Sequence, residues 1–301
     1  MRILVVGAGA TGGYFGGRLA QAGRDVTFLV RPGRAGRLAG RGLRIKDPDG
    51  ETVLHPRAVT APDGVYDLVL VAVKSYSLDL ALSGAAPGIG RHTVIVPLLN
   101  GMRHIGALVQ RFGADRAWGG VCMIHATLDE DGDVVRMNGP HRLSFGPLDG
   151  DDERVPAVTG VLTGAGFDAR ASATIVAELW EKWVLLATLG AATTLLRGSI
   201  GAINTAPGGR AFLTALAAET AAVAAAAGHP LRPRAVAMLE AVIATTEPTT
   251  SSMYRDLIQG LPVEGDAIVG DLVAEAERHG GPVPLLAAAH TGLAVYTAAH
   301  R

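Results

Sequence analysis

The sequence predicts an α/β fold in which a doubly wound, mostly parallel sheet over residues 1–172 is followed by an all-α C-terminal domain over residues 173–301. Three observations predict it. Short β-branched runs alternate with short helical or turn segments as far as about Ala171, and a βαβ rhythm of that kind builds a parallel sheet covered on both faces. From Ile175 onward, long alanine- and leucine-rich segments are divided by glycine and proline, which is the pattern of packed helices. The length of 301 residues suits about two domains at roughly 150 residues each.

The strands expected in chain order are Ile3-Val6, Val26-Val30, Leu68-Val73, Thr93-Val96 and Ala117-Ile124. The first follows Met1-Arg2 like the start of a leader, but its apolar run is too short for a signal-peptide core and dissolves into glycines. Tyr14 to Ala22 reads as the first helix. Val134 to Phe145 has hairpin character, with Asn138-Gly139-Pro140 as its turn, and is expected to add antiparallel strands to one sheet edge. No repeat, low-complexity tail or Pro/Ser-rich linker interrupts the chain. A tight hinge near Ala171 to Thr174 follows, with a cleft between the halves as the default ligand site.

Composition removes several function classes. Hydrophobic residues make up 49% and charged residues 18%, enough apolar surface to offset ordering entropy. Lys+Arg at 27 against Asp+Glu at 28 leaves −1, so there is no electrostatic footprint for nucleic acid or an anionic membrane. The mean hydropathy is +0.29, yet the longest apolar stretch, Trp183 to Leu196, carries three threonines and falls short of the ~20 residues of a membrane span. The only cysteine, Cys122, cannot close an intramolecular disulfide or build a thiolate cage, which points to a cytoplasmic protein. Nine scattered histidines show no ligand spacing, so no metal is expected.

Gly7-Ala8-Gly9-Ala10-Thr11-Gly12 satisfies G-x-G-x-x-G between the first strand and the first helix. In that context Gly7 permits the tight turn, Gly9 lets backbone approach a pyrophosphate, and Gly12 lets helix pack on strand. Free N–H groups at the helix start attract the anion. Sites selective for NAD place Asp or Glu at the end of the second strand. Here that strand runs into Arg31, whose guanidinium suits a 2′-phosphate, so NADP(H) is the expected cofactor. Arg34 and Arg37 read individually as a solvated helix face.

Of the 27 basic residues only Lys46, Lys74 and Lys182 are lysine. A lysine kept against that bias supplies a compact ammonium that can give up a proton, which arginine cannot. Lys74 closes a strand at the carboxyl edge where doubly wound sheets bind ligands. Lys182 lies in an apolar helical stretch, where it is either a functional ammonium or one half of an exposed Glu178/Lys182 pair worth only ~0.3 kcal/mol. Lys46, beside Asp47-Pro48-Asp49-Gly50, reads as a turn charge. Asn100-Gly101 follows another strand end and is either a site residue or an ordinary turn. Ser251 and Ser252 precede a helical run, as caps or as a carboxylate site. Glu264 opens a further helix, where an acid also suits the dipole. Cys122 reads as core.

Taken together these residues resemble the 2-dehydropantoate 2-reductase (ketopantoate reductase) family, over nearly the whole chain. The marks are Gly7 to Gly12, Arg31, Val73-Lys74, Asn100-Gly101-Met102, Gly119-Gly120-Val121-Cys122, Trp180-Glu181-Lys182, Ser251-Ser252-Met253 and Val263-Glu264. The resemblance implies a Rossmann-type NADP-binding domain, a helical substrate and catalytic domain, and NADPH-dependent reduction of a small 2-oxo acid to a 2-hydroxy acid. It further implies that Arg31 and Lys74 bind the adenosine phosphate end and that Asn100 orients the nicotinamide ribose and substrate. Lys182 would be the general acid, Ser252 a ligand of the substrate carboxylate, and Glu264 a polar partner of the catalytic region. A homodimer is open to such a chain.

The chain departs from the family pattern at Leu186, Gly190 and Ile200, where the pattern for ketopantoate has asparagines. A hydroxylated substrate therefore lacks amide partners there, and an unpaired polar group costs ~1–3 kcal/mol. The activity class survives. The competing readings are a related reductase for a bulkier or more apolar oxo acid or an imine, and a catalytically silent NADPH-sensing regulatory protein.

Overall fold

The computed structural model describes residues 1–300. Its first elements are β1 (Arg2–Val6), α1 (Ala10–Gln21), β2 (Asp25–Leu29), α2 (Pro32–Arg41), β3 (Leu43–Asp47), β4 (Gly50–Leu54), β5 (Arg57–Val59) and β6 (Tyr66–Val71). These are followed by α3 (Leu78–Ala85), β7 (Ile89–Pro97), α4 (Arg103–Phe112), β8 (Trp118–Leu128), β9 (Val134–Pro147), α5 (Val155–Leu162) and β10 (Asp168–Ala171). The rest is helical: α6 (Ile175–Leu195), α7 (Ile200–Thr205), α8 (Gly209–Ala226), α9 (Pro233–Ala244), α10 (Ser252–Ile258), α11 (Asp271–His279) and α12 (Pro284–Ala299). A π-helical turn, Asp266–Gly270, runs directly into α11. Two compact units result, one of Met1–Leu99 with His104–Val176, the other of Asn100–Arg103 with the chain from Ala177 onward.

The first unit carries a five-stranded sheet ordered β5-β2-β1-β6-β7, every neighbour parallel. Its inner strands bury both faces because side chains alternate across a strand. Ile3 and Val5 of β1 enter one core with Leu68 and Leu70 of β6, while Leu4 and Val6 enter the opposite core with Val69 and Val71. A second sheet, ordered β10-β9-β3-β4 with β8 antiparallel to β9, completes the unit.

Helix α1 lies between the two sheets. Its Gly16 faces Phe28 and Val5 of the first sheet, and Gly13 and Gly17 face Val134 and Ile45 of the second, each so close that an added Cβ would fall 2.7–2.9 Å from those side chains. Each helical glycine costs about 1 kcal/mol of propensity; here the loss lets two sheets close on one thin helix. Burial of Tyr14, Phe15 and Leu19 offsets it.

The hairpin differs from the sequence expectation. β9 runs through Asn138-Gly139-Pro140 without turning, and a register shift opposite Ile124/Ala126 absorbs those residues as a bulge. The turn lies between β8 and β9 instead. There the Asp129 carboxylate accepts the N–H groups of Asp131 (3.1 Å) and Asp133 (2.9 Å), and Gly132 takes φ +78°. Lys46 is likewise corrected: it sits in β3, and its ammonium bonds Asp129 at 2.6 Å and lies 3.2 Å from Asp133. Those hydrogen bonds raise the Lys46 pKa and lower that of Asp129.

In the second unit, α6 and α8 share a buried Thr188–Thr220 hydrogen bond of 2.7 Å. Trp180 stacks on His229 at 4.9 Å, and the Glu181 carboxylate accepts two hydrogen bonds from the Arg232 guanidinium and one from its backbone N–H. Among the described residues no helix is long and apolar enough to cross a membrane.

Candidate active site

In the first unit, Gly7 to Gly9 link β1 to α1, and Ala10 to Gly12 are the first residues of that helix. Gly7 has φ +99°, and a Cβ on it would stand 2.8 Å from the Ala72 carbonyl oxygen, so glycine is required twice over. A Cβ on Gly12 would overlap the Gly7 carbonyl oxygen and reach 2.8 Å from the Ala72 Cβ. Gly9 is different: a Cβ there would meet nothing within 4 Å. It is the N-cap of α1, no side chain caps that helix, and no acid stands in its first turn. The turn is therefore an open cradle of helix-start N–H groups, which fits a pyrophosphate.

Arg31 is the exposed N-cap of α2, and its Nη2 donates to Ser77 Oγ at 3.2 Å. Ser77 belongs to the short turn that begins after Lys74, past the carboxyl end of β6. Arg31 and the Lys74–Ser77 turn thus meet at the ends of strands flanking β1, an arrangement of cation and hydroxyl that fits a phosphate monoester.

Arg34 is half-buried rather than part of a solvated face. Its Nε donates to the Ala8 carbonyl (3.1 Å) and its Nη1 to the Gly132 carbonyl (2.8 Å), which ties the phosphate turn to the β8–β9 turn. Burial, reinforced by Arg37, lowers its pKa. The only sequence signal for this tie was its place one helical turn beyond Arg31. Cys122 is buried in β8 with its Sγ 3.3 Å from the Leu98 carbonyl, in the core as expected.

The second unit carries the remaining candidates. Lys182 is 9% exposed and Glu264 is 7% exposed, and neither lacks an interaction partner. Burial excludes the exposed-pair reading of Lys182. Burying an ion costs several kcal/mol unless it is compensated, so an ammonium on this apolar helix is not a surface accident. Lys182, Leu186, Gly190 and Thr193 fall at i, i+4, i+8 and i+11, on one stripe of α6.

The start of α10 packs on that stripe. The Ser251 hydroxyl is shared between Thr193 Oγ1 (2.8 Å) and the Tyr254 N–H (2.9 Å), so Ser251 is the helix cap. Ser252 keeps an exposed hydroxyl at the first helical residue. The Met253 methyl occupies the notch at Gly190, 2.6 Å from where a Cβ would stand. Ile200 is fully buried at the start of α7.

Asn100 enters the second unit with its neighbour Gly101. Gly101 has φ +78°, and its Cβ would run into the Ala267 carbonyl and lie 4.0 Å from the Trp183 Nε1. Trp183 Nε1 donates to the Ile268 carbonyl at 2.8 Å. Gly101 and Trp183, the residues that follow Asn100 and Lys182, therefore meet the backbone at Ala267 and Ile268, three and four residues beyond Glu264.

Comparison with known proteins identifies the family. The profile described as Ketopantoate reductase PanE/ApbA matches residues 3–150, and the corresponding C-terminal profile matches residues 174–296. The chain is similar to the uncharacterized oxidoreductase YkpB of Bacillus subtilis, 35% identical over 99% of both chains. It is also similar to the crystal structure of 2-dehydropantoate 2-reductase from Geobacter metallireducens, at TM-score 0.88, 30% identity, and coverage of 98% of this chain and 99% of that one. A ternary structure of D-mandelate dehydrogenase with NADH and anilino(oxo)acetate shares the fold at TM-score 0.89 and 23% identity, covering 100% of this chain and 99% of that one.

Proposed function

Because the chain belongs to the ketopantoate reductase PanE/ApbA family and is an oxidoreductase of that family, we propose that it reduces a 2-oxo acid to the 2-hydroxy acid with NADPH. The observation that carries this is a buried lysine on an apolar helix in a chain that otherwise uses arginine.

NADPH, when bound, supplies the hydride. The residues that hold it are the Gly7-Ala8-Gly9-Ala10-Thr11-Gly12 turn for the pyrophosphate and Arg31 with Lys74 for the adenosine phosphate; Asn100 orients the nicotinamide ribose and the substrate. Ser252 binds the substrate carboxylate. The Lys182 ammonium stabilises the oxygen as it becomes an alkoxide and gives it a proton. Glu264 is a polar partner of that catalytic region.

The substrate side chain is apolar in this reading. The Met253 methyl in the Gly190 notch and the buried Ile200 put hydrocarbon where an amide-bearing site would hold a hydroxyl, and a site without polar partners discriminates against a hydroxylated substrate. Spectrophotometric NADPH oxidation across a panel of 2-oxo acids tests both parts. Turnover of at least one apolar 2-oxo acid is expected to exceed that of ketopantoate. Ketopantoate as the best substrate would reverse the apolar assignment, and no oxidation with any 2-oxo acid would leave the sensor reading in its place.

Cofactor choice has its own test. Arg31→Ala is expected to weaken NADPH binding about tenfold to a hundredfold, the worth of a charge-assisted hydrogen bond, with NADH binding little changed. Fluorescence titration with both dinucleotides measures it; an equal loss for both would remove the 2′-phosphate contact.

A further inference from the structure

The π-helical turn Asp266–Gly270 begins two residues after Glu264. Such turns carry one residue more than an α-turn and are concentrated at functional sites. This one is held on several sides. Trp183 donates its indole N–H to the Ile268 carbonyl in a buried bond of 2.8 Å. The Gly101 backbone lies against the Ala267 carbonyl. His290 approaches Asp266 Oδ1 at 3.1 Å, and its Nε2 lies 2.6 Å from where a Gly270 Cβ would stand. One residue further on, Asp271 receives two hydrogen bonds from the Arg103 guanidinium.

The register of this turn decides how Glu264 is presented. Downstream, α11 is anchored through Arg103–Asp271. Upstream, the Glu264 carbonyl accepts the Ile268 N–H at 3.1 Å. Reverting to an α-turn would remove one residue from the arc and rotate Glu264 by about 100° relative to α11. The Ile268 carbonyl in the middle of that arc is the atom Trp183 holds.

We propose that Trp183 is a positioning residue, whose indole N–H fixes the π-turn and thereby sets Glu264 and the Asn100–Gly101 turn relative to Lys182. Trp183 touches neither reacting atom in this assignment; it acts through the Ile268 carbonyl. The proposal rests on the roles assigned above to Lys182, Glu264 and Asn100. It gives a purpose to an aromatic residue placed directly after the lysine, and it explains why Gly101 tolerates no side chain.

The test uses the full chain and two variants that disturb the junction from opposite sides, Trp183→Phe, which removes the N–H and keeps a ring, and Gly101→Ala, which drives a methyl into the Ala267 carbonyl. Thr220→Val, which removes a buried hydrogen bond elsewhere in the same unit, is the stability control. Reductive ¹³C-methylation labels three lysines and the N-terminal amine, so Lys182 can be followed individually by NMR. Both junction variants are expected to move the Lys182 resonance while those of Lys46 and Lys74 stay in place, and Thr220→Val is expected to move none. With a turned-over oxo acid, both should lower kcat about tenfold to a hundredfold, the scale of a displacement near 1 Å, and change the pH profile with little change in KM. An unmoved Lys182 signal in Trp183→Phe would overturn the positioning role whether or not a substrate is found. A wild-type chain that turns over no oxo acid yet shows the NMR shift would overturn the reductase reading and leave the junction standing.

Discussion

Lys182→Ala is expected to lower turnover by about 10²–10⁴-fold, the contribution of a positioned general acid, while NADPH affinity stays nearly unchanged because the phosphate turn belongs to the other compact unit. Lys182→Arg is expected not to restore activity, since a guanidinium is larger, forked and a poor proton donor. Removing one member of a buried polar group also destabilises, by about 3–5 kcal/mol where a buried ion pair is broken, so thermal unfolding accompanies the kinetics. Lys182→Met keeps the aliphatic stem without the charge and separates the loss of packing from the loss of the proton. Near-normal turnover in the Met variant would return Lys182 to a structural role.

The second large effect is expected at the phosphate turn, where two neighbouring glycines should behave oppositely. Gly12→Ala places its methyl on the Gly7 carbonyl oxygen and against Ala72. Neither is the far end of a flexible side chain, so the apo protein should lose ~1–3 kcal/mol of stability and NADPH affinity should fall with it. Gly9→Ala meets no protein atom, and its φ of −78° suits alanine. Apo stability should stay within ~0.5 kcal/mol, yet the methyl occupies the cradle, and NADPH affinity should fall at least tenfold. Calorimetry of the apo variants beside dinucleotide titration distinguishes the two cases. A Gly9→Ala chain that binds NADPH normally would remove the pyrophosphate from this position.

Much of this was legible in the chain because the signals are local. A strand, three spaced glycines and a helix are contiguous, and the arginine ending the second strand sits at a fixed offset from them. The scarcity of lysine marks Lys182 in the sequence itself, independently of its surroundings in the fold. The second sheet is less legible, since Leu43–Asp47 is a short, charged strand whose partner β9 lies about ninety residues on, and Gly50–Leu54 pairs only with that strand. Asn138-Gly139-Pro140 is the turn the sequence suggests, but the chain turns at Asp129–Gly132 instead. Asp129 settled it by capping its own turn, a side-chain contact that dipeptide preference does not contain. The tie made by Arg34 and the π-turn beside Glu264 were equally hidden, because Asp266-Ala267-Ile268-Val269-Gly270 reads as plain helix until Trp183 and Gly101 are brought against it.

The grouping of Asn100–Arg103 with the helical unit bears on how the gene can be divided. A fragment beginning at Ala177 holds all the long helices of that unit but lacks Gly101 against Ala267 and the Arg103 guanidinium on Asp271. Truncation at the apparent border therefore strips the helical unit of a clip that the N-terminal stretch of the chain supplies, and a helical fragment is expected to be less stable than the same unit with residues 100–103 in place.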